Sequence, residues 1–142
     1  MNINQIIKIL KKTDSFGIQT DSFLNTLAFS SEKVEYSTGD LIIKSGEKSV
    51  KCVVILEGKA FIQKKTSPIE LKSGSVIGLL SLINNCSPKD ALIAGTKGLA
   101  LVIDRELFEK LLQEFPDFNR NLKSKLVSDL NKTVGSLQTT LG

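Results

Sequence analysis

The chain has 142 residues, 41 % of them hydrophobic, which fits one domain with its own core. Its net charge of +4 comes from scattered lysines, and arginine occurs only at Arg105 and Arg120, so the dense basic stripe of a nucleic-acid binder is missing. Histidine is absent and the two cysteines, Cys52 and Cys86, form no CxxC pair, which removes the usual zinc and haem ligands and leaves two idle thiols suited to a reducing compartment.

The N-terminal segment places Ile3, Ile6, Ile7 and Leu10 at helical spacing, which predicts a short amphipathic helix. Interspersed Asn, Gln and Lys deny it the continuous apolar stretch of a signal peptide, and no run approaches the roughly 18 residues of a membrane span. A cytoplasmic location is expected. Phe16-Gly17 reads as a break, and Thr20 or Asp21 caps a second short helix through Leu24 and Leu27.

From Val34 the pattern turns to short strands. Val34 and Tyr36, then Leu41–Ile43, Cys52–Leu56, Ala60–Ile62, Ile69–Leu71, Val76–Ile77, Ala91–Ala94 and Leu99–Ile103 are each bounded by turn residues. Gly39-Asp40, Gly46-Glu47, Glu57-Gly58, Gly74 and Gly78 punctuate them, at positions that call for a positive φ or a bulge. Short strands between regularly spaced glycine turns indicate an antiparallel sandwich or barrel.

Helical spacing returns after Asp104, a fitting N-cap, with Glu106 and Glu109 near the positive end of the dipole and Leu107, Leu111 and Leu112 as the apolar face. Pro116 interrupts this helix. Asp117 opens a long one, with Phe118, Leu122, Leu126, Leu130, Val134, Leu137 and Leu141 on one side. About 25 helical residues span roughly 37 Å, more than the roll can cover. The first half of the stripe reads as core, the second as core or as a seam between two chains. The expected organisation is one domain over 1–142: helices in about 1–30, a β-roll in about 34–103 and C-terminal helices in about 104–141.

The ordered series Gly39-Asp40, Gly46-Glu47, Ile55-Leu56-Glu57-Gly58 and Leu71–Gly78 resembles the cyclic nucleotide-binding domains of catabolite-activator-like regulators and cyclic-nucleotide-dependent kinases. The resemblance covers about Phe23 to Leu126. It implies a mainly β fold with flanking helices: an antiparallel double-stranded β-helix (β-roll or jelly roll) and a long C-terminal helix. It also implies a phosphate-binding cassette after the last glycine, usually Gly-Glu, a short apolar helix and Pro-Arg-Ala-Ala. In such a cassette the helix N–H groups and the arginine hold a cyclic phosphate, and the glutamate accepts from the ribose 2′-OH.

The matching stretch here is Gly78–Ala91, with a short helix expected over Leu79–Ile83 and Pro88 one residue later than the commonest spacing. The implied ligand-binding positions are Gly78, Leu79, Leu80, Ser81, Lys89, Asp90 and Ala91; no catalytic or metal-binding residue is implied. Leu79 replaces the glutamate. Lys89 replaces the arginine, which keeps the charge and loses the bidentate fork. Asp90 brings a carboxylate beside the phosphate position, where it is expected to pair with Lys89. Loss of the glutamate contact alone weakens binding roughly ten- to a hundredfold. Two outcomes stay open: a helix packed on the roll with its pocket filled by Leu79, or a weakened site for a cyclic nucleotide or another small phosphorylated ligand.

The expected function is a stand-alone sensor or regulatory module acting through a protein partner. The alternative is a ligand-free structural dimerisation or adaptor domain. A homodimer through the C-terminal helix is expected. The regulators it resembles carry a helix-turn-helix domain beyond this helix, and none follows Gly142, so no DNA-binding role is expected. A cupin-like enzyme on a similar roll requires histidine-held metal, and nucleophilic catalysis requires a base beside the nucleophile; neither set is present.

Overall fold

The computed structural model describes residues 1–124. Two helices open the chain, α1 (Ile3–Lys11) and α2 (Asp21–Ser30). Each starts where a side chain satisfies an otherwise orphaned N–H. Asn2 and Gln5 form a reciprocal capping box on α1, and Thr20 accepts from the Phe23 amide on α2. The strands follow as β1 (Glu32–Tyr36), β2 (Leu41–Ile43), β3 (Lys51–Glu57), β4 (Ala60–Ile62), β5 (Ile69–Leu71) and β6 (Val76–Ile77). A six-residue helix, α3 (Leu79–Asn84), separates these from β7 (Leu92–Ala94) and β8 (Gly98–Asp104). The helix α4 (Arg105–Glu114) runs directly out of β8, and α5 begins at residue 116 and is described to 124.

The strands form two four-stranded antiparallel sheets, ordered β1-β8-β3-β6 and β2-β7-β4-β5. The first is sandwiched. One of its faces meets the second sheet and the other meets the helices, so there are two cores. Cys52, Val54 and Leu56 point into the helix-side core with Leu82, Leu101 and Ile103. Val53 and Ile55 point into the inter-sheet core with Tyr36, Leu92 and Ala100. Side chains alternate along a strand, so a strand buried on both faces is apolar at every position. That is why residues 52–56 form an unbroken hydrophobic run.

The helix-side core is closed by aromatic rings. Phe118 contacts Phe16, Phe23 and Phe108, its nearest centroid lying 4.5 Å from that of Phe23. Phe16 thus serves as a core residue as well as marking the break after α1. The buried residues of α4 are Phe108 and Leu111, whereas Leu107 and Leu112 are half-buried. The helix begins as expected, with Asp104 accepting from the Leu107 amide.

Gly39, Gly46, Gly58, Gly74 and Gly78 all adopt positive φ. Several element ends differ from the sequence reading by one or two residues, and two of them have a clear cause. Strand β1 starts at Glu32, because the ladder with β8 continues past the apolar pattern and pairs Glu32 with Val102. Helix α5 starts at Pro116, whose missing N–H suits the first helical position. The stripe residues Leu126, Leu130, Val134, Leu137 and Leu141 lie outside the described residues. Among the described residues, no helix is long and apolar enough to cross a membrane.

Candidate ligand-binding site

The expected cassette is held between the two sheets' ends by strand β6 on one side and β7 on the other. Gly78 heads α3 with φ +92°, and a Cβ there would stand 2.3 Å from the Lys51 carbonyl oxygen. Only glycine allows this left-handed turn against the β3 backbone. Among the described residues, no side chain caps the N-terminus of this helix. Its C-terminus is closed on three sides. Asn85, in the left-handed conformation, and Cys86 both donate their amides to the Ser81 carbonyl, and Arg105 Nη2 donates to the Leu82 carbonyl over 2.7 Å.

Packing then fixes which face of α3 looks outward. Leu82 is fully buried in the helix-side core, with half-buried Leu79 and Ile83 against the same cluster. Leu80 is 58 % exposed. The residue at the glutamate position therefore spends its methyl groups on the helix-side core. It is not among the residues packed on the inter-sheet cluster. Ser81 is half-buried.

The segment after α3 is tied to distant turns. The Gly46 amide donates to the Pro88 carbonyl at 2.8 Å, and the Ser45 hydroxyl donates to the Lys89 carbonyl at 2.7 Å. Lys89 is exposed and forms no ion pair among the described residues. Asp90 does not pair with Lys89 as expected. Its carboxylate accepts from Lys64 Nζ at 2.5 Å, in a bridge with both partners partly exposed. Lys89 and Asp90 lie in a bend before β7, and the Asp90 carboxylate is turned to the β4–β5 loop, where Lys64 meets it. Ala91 is buried, and its carbonyl accepts from the Gln63 amide.

The structure thus brings Gly78, Leu79, Leu80 and Ser81 together on α3, and anchors Lys89, Asp90 and Ala91 to the turns of both sheets. Sequence reasoning missed Lys64, Ser45 and Arg105. Lys64 and Ser45 are far from the cassette in sequence, so no local pattern marks them. Arg105 carried a signal, since it follows the Asp104 cap where the last strand meets α4. Both cysteines are free thiols. Cys52 is buried, its thiol pushed up to about 12 by desolvation, and Cys86 is exposed. Among the described residues, no group of three or more His, Cys, Asp or Glu is placed to hold a metal ion.

Two antiparallel sheets with a glycine-headed helix inserted between β6 and β7 define a β-roll. The sequence pattern of the cyclic nucleotide-binding domain matches residues 33–115, more than half of the chain, and the chain belongs to that family. The family is a regulatory ligand-binding module rather than a catalytic one. A cGMP-dependent protein kinase of Plasmodium berghei (strain Anka) is 27 % identical over 97 residues. The match covers 68 % of this chain and 11 % of the kinase, so the chain spans about a tenth of that relative. The N-terminal domain of a transcriptional regulator from Streptomyces coelicolor A3(2) superposes with a TM-score of 0.81 at 20 % identity, over 91 % of this chain and 94 % of that domain. The likeness to that structure is one of fold.

Proposed function

We propose that this chain is a cytoplasmic sensor module whose cassette has weakened or lost its hold on cyclic nucleotides and which acts through a protein partner. The observation that carries the reading is the fate of the glutamate position. Leu79 offers no acceptor to a ribose hydroxyl and is packed into the helix-side core. A hydroxyl buried against it stays unsatisfied, which costs about 1–3 kcal/mol. The phosphate side is depleted as well. Lys89 supplies a point charge without a fork, and the carboxylate of Asp90 remains nearby with Lys64 as its partner.

Residual affinity for a small anion is consistent with the uncapped start of α3, within the cassette positions Gly78, Leu79, Leu80, Ser81, Lys89, Asp90 and Ala91. The module is read as one domain over 1–142, pairing with a second copy through the apolar stripe Leu126–Leu137; that part rests on sequence spacing alone. Calorimetry with cyclic AMP and cyclic GMP tests the central claim. The expected result is a dissociation constant weaker than the low micromolar range, improved by the triple change Leu79→Glu, Lys89→Arg and Asp90→Ala. A low-micromolar or tighter wild-type constant for either nucleotide overturns it. The second reading, a ligand-free adaptor, is favoured by the commitment of Leu79 to the core. A thermal-shift screen showing no response to any phosphorylated small molecule supports that reading over the first.

A further inference from the structure

Among the described residues, the two sheets each end in an unpaired edge on the same side of the roll: β1 pairs with β8 alone and β2 with β7 alone. Between these edges lies a groove of about 580 Å³. Val34, Tyr36, Ala100 and Val102 line it. The register explains the set, since Val34 lies opposite Ala100 and Tyr36 opposite Gly98, on the face of the first sheet that meets the second. The groove also reaches Glu35, which alternates to the other face of β1, so it wraps around the strand's open edge.

Its charge is one-sided. Five carboxylates line it (Glu32, Glu35, Asp40, Glu47 and Asp104), against one amine, that of Lys51. This runs against the chain's net charge of +4. Three of the acids have structural work: Asp40 accepts from the Ser37 amide, Asp104 caps α4, and Glu47 accepts from the Lys44 amide and bridges Lys51 at 3.8 Å. Lys51 is therefore already engaged. Glu32 and Glu35 are exposed and have no hydrogen-bond or ion-pair partner among the described residues. Lys33, between them, turns its amine to the Phe29 and Ser31 carbonyls at the helix side.

We infer that this groove is a docking site for an extended, basic peptide segment of a partner protein. An open strand edge supplies main-chain donors and acceptors for one further strand, the apolar lining takes alternate side chains, and the carboxylates meet Lys or Arg on the others. A second copy of the same face is a poor occupant, because a two-fold contact would set these acids against their own images. The groove shares no residue with the cassette, so the inference names the surface through which the proposed module acts without depending on whether a nucleotide binds.

The test uses the full chain without nucleotide and fluorescein-labelled Lys-Val-Arg-Val-Lys-Val-Arg, read by anisotropy. The expected result is saturable binding that weakens as salt rises from about 50 to 300 mM, with no binding of the Glu-Val-Glu-Val-Glu-Val-Glu counterpart. The double change Glu32→Lys and Glu35→Lys, both at exposed positions, is expected to lower affinity at least tenfold with circular dichroism unchanged. Amide exchange on the wild type is expected to show peptide-dependent protection at residues 32–36. No saturable binding of the basic peptide, equal binding of the acidic one, an unchanged double variant, or protection confined to the cassette each overturns the inference. So does protection of residues 32–36 that rises with protein concentration in the absence of peptide, which would assign the groove to a second copy.

Discussion

Cys52 has no exposed surface and lies opposite Ile103 of β8 in the helix-side core, whereas Cys86 is exposed in the loop after α3. Burial penalises the thiolate, so the Cys52 thiol is pushed from about 9 to about 12. The first consequence is reactivity, because the thiolate is the nucleophile. An aromatic disulfide reagent at pH 8 is expected to titrate one thiol in the native protein and two in denaturant. The second is linkage. The unfolded chain loses this proton at a lower pH than the folded one, so the contribution of Cys52 is whole below about pH 9 and declines as pH climbs toward 12. Other groups also ionise at alkaline pH, so the measurement is a difference: wild-type stability is expected to fall more steeply over that window than that of Cys52→Ala. Equal slopes would show that the thiol is not desolvated as described.

At the scale of elements, α3 is too short to hold itself, since six residues barely exceed the nucleus of a helix. Leu82 anchors its underside and Arg105 its C-terminus, through the Leu82 carbonyl. Arg105 also stands 3.8 Å from Glu109 on α4, so one side chain joins the cassette helix to the first turn of α4. Arg105→Met keeps the stem and removes the donor. It is expected to speed amide exchange at residues 82–86 several-fold while costing about 1 kcal/mol or less of global stability, the guanidinium being partly exposed. Exchange unchanged in α3 would show that Leu82 suffices. The place of Arg105 after the Asp104 cap was legible locally, but its reach to the Leu82 carbonyl was not. The helix itself was expected over Leu79–Ile83 from the family resemblance, and the glycine turns and nearly every strand were legible directly, because period-two burial and positive-φ positions leave their mark within a few residues. Tertiary partners leave none: Lys64 and Asp90 meet across 26 positions, and Ser45 and Lys89 across 44. The groove between β1 and β2 escaped notice for the same reason, its acids being spread from Glu32 to Asp104 and assembled only by sheet order.

The whole molecule depends on strands shared by both cores. β3 contributes Cys52, Val54 and Leu56 to the helix side and Val53 and Ile55 to the inter-sheet side, and β8 contributes Leu101 and Ile103 to one and Ala100 to the other. These two strands pair with each other along Lys51–Glu57 and cannot leave one core without opening the other. The aromatic contacts of Phe118 add α5 to the same unit, since that ring touches residues of α2, α4 and the turn after α1. Unfolding is therefore expected to be one transition despite the two cores. Val53→Ala and Val54→Ala remove neighbouring side chains from opposite faces of β3, each fully buried. Each is expected to destabilise by about 2 kcal/mol, the loss of two buried methyl groups plus part of a cavity. Tyr36, the only tyrosine in a chain without tryptophan, reports the inter-sheet core by fluorescence, while far-ultraviolet circular dichroism reports the helices as well. In urea, both signals are expected to keep one shared midpoint in the wild type and to shift together in either variant. If Val53→Ala moved the Tyr36 transition ahead of the dichroism transition, the second sheet would be a separate cooperative unit, and the shared-strand argument would be wrong.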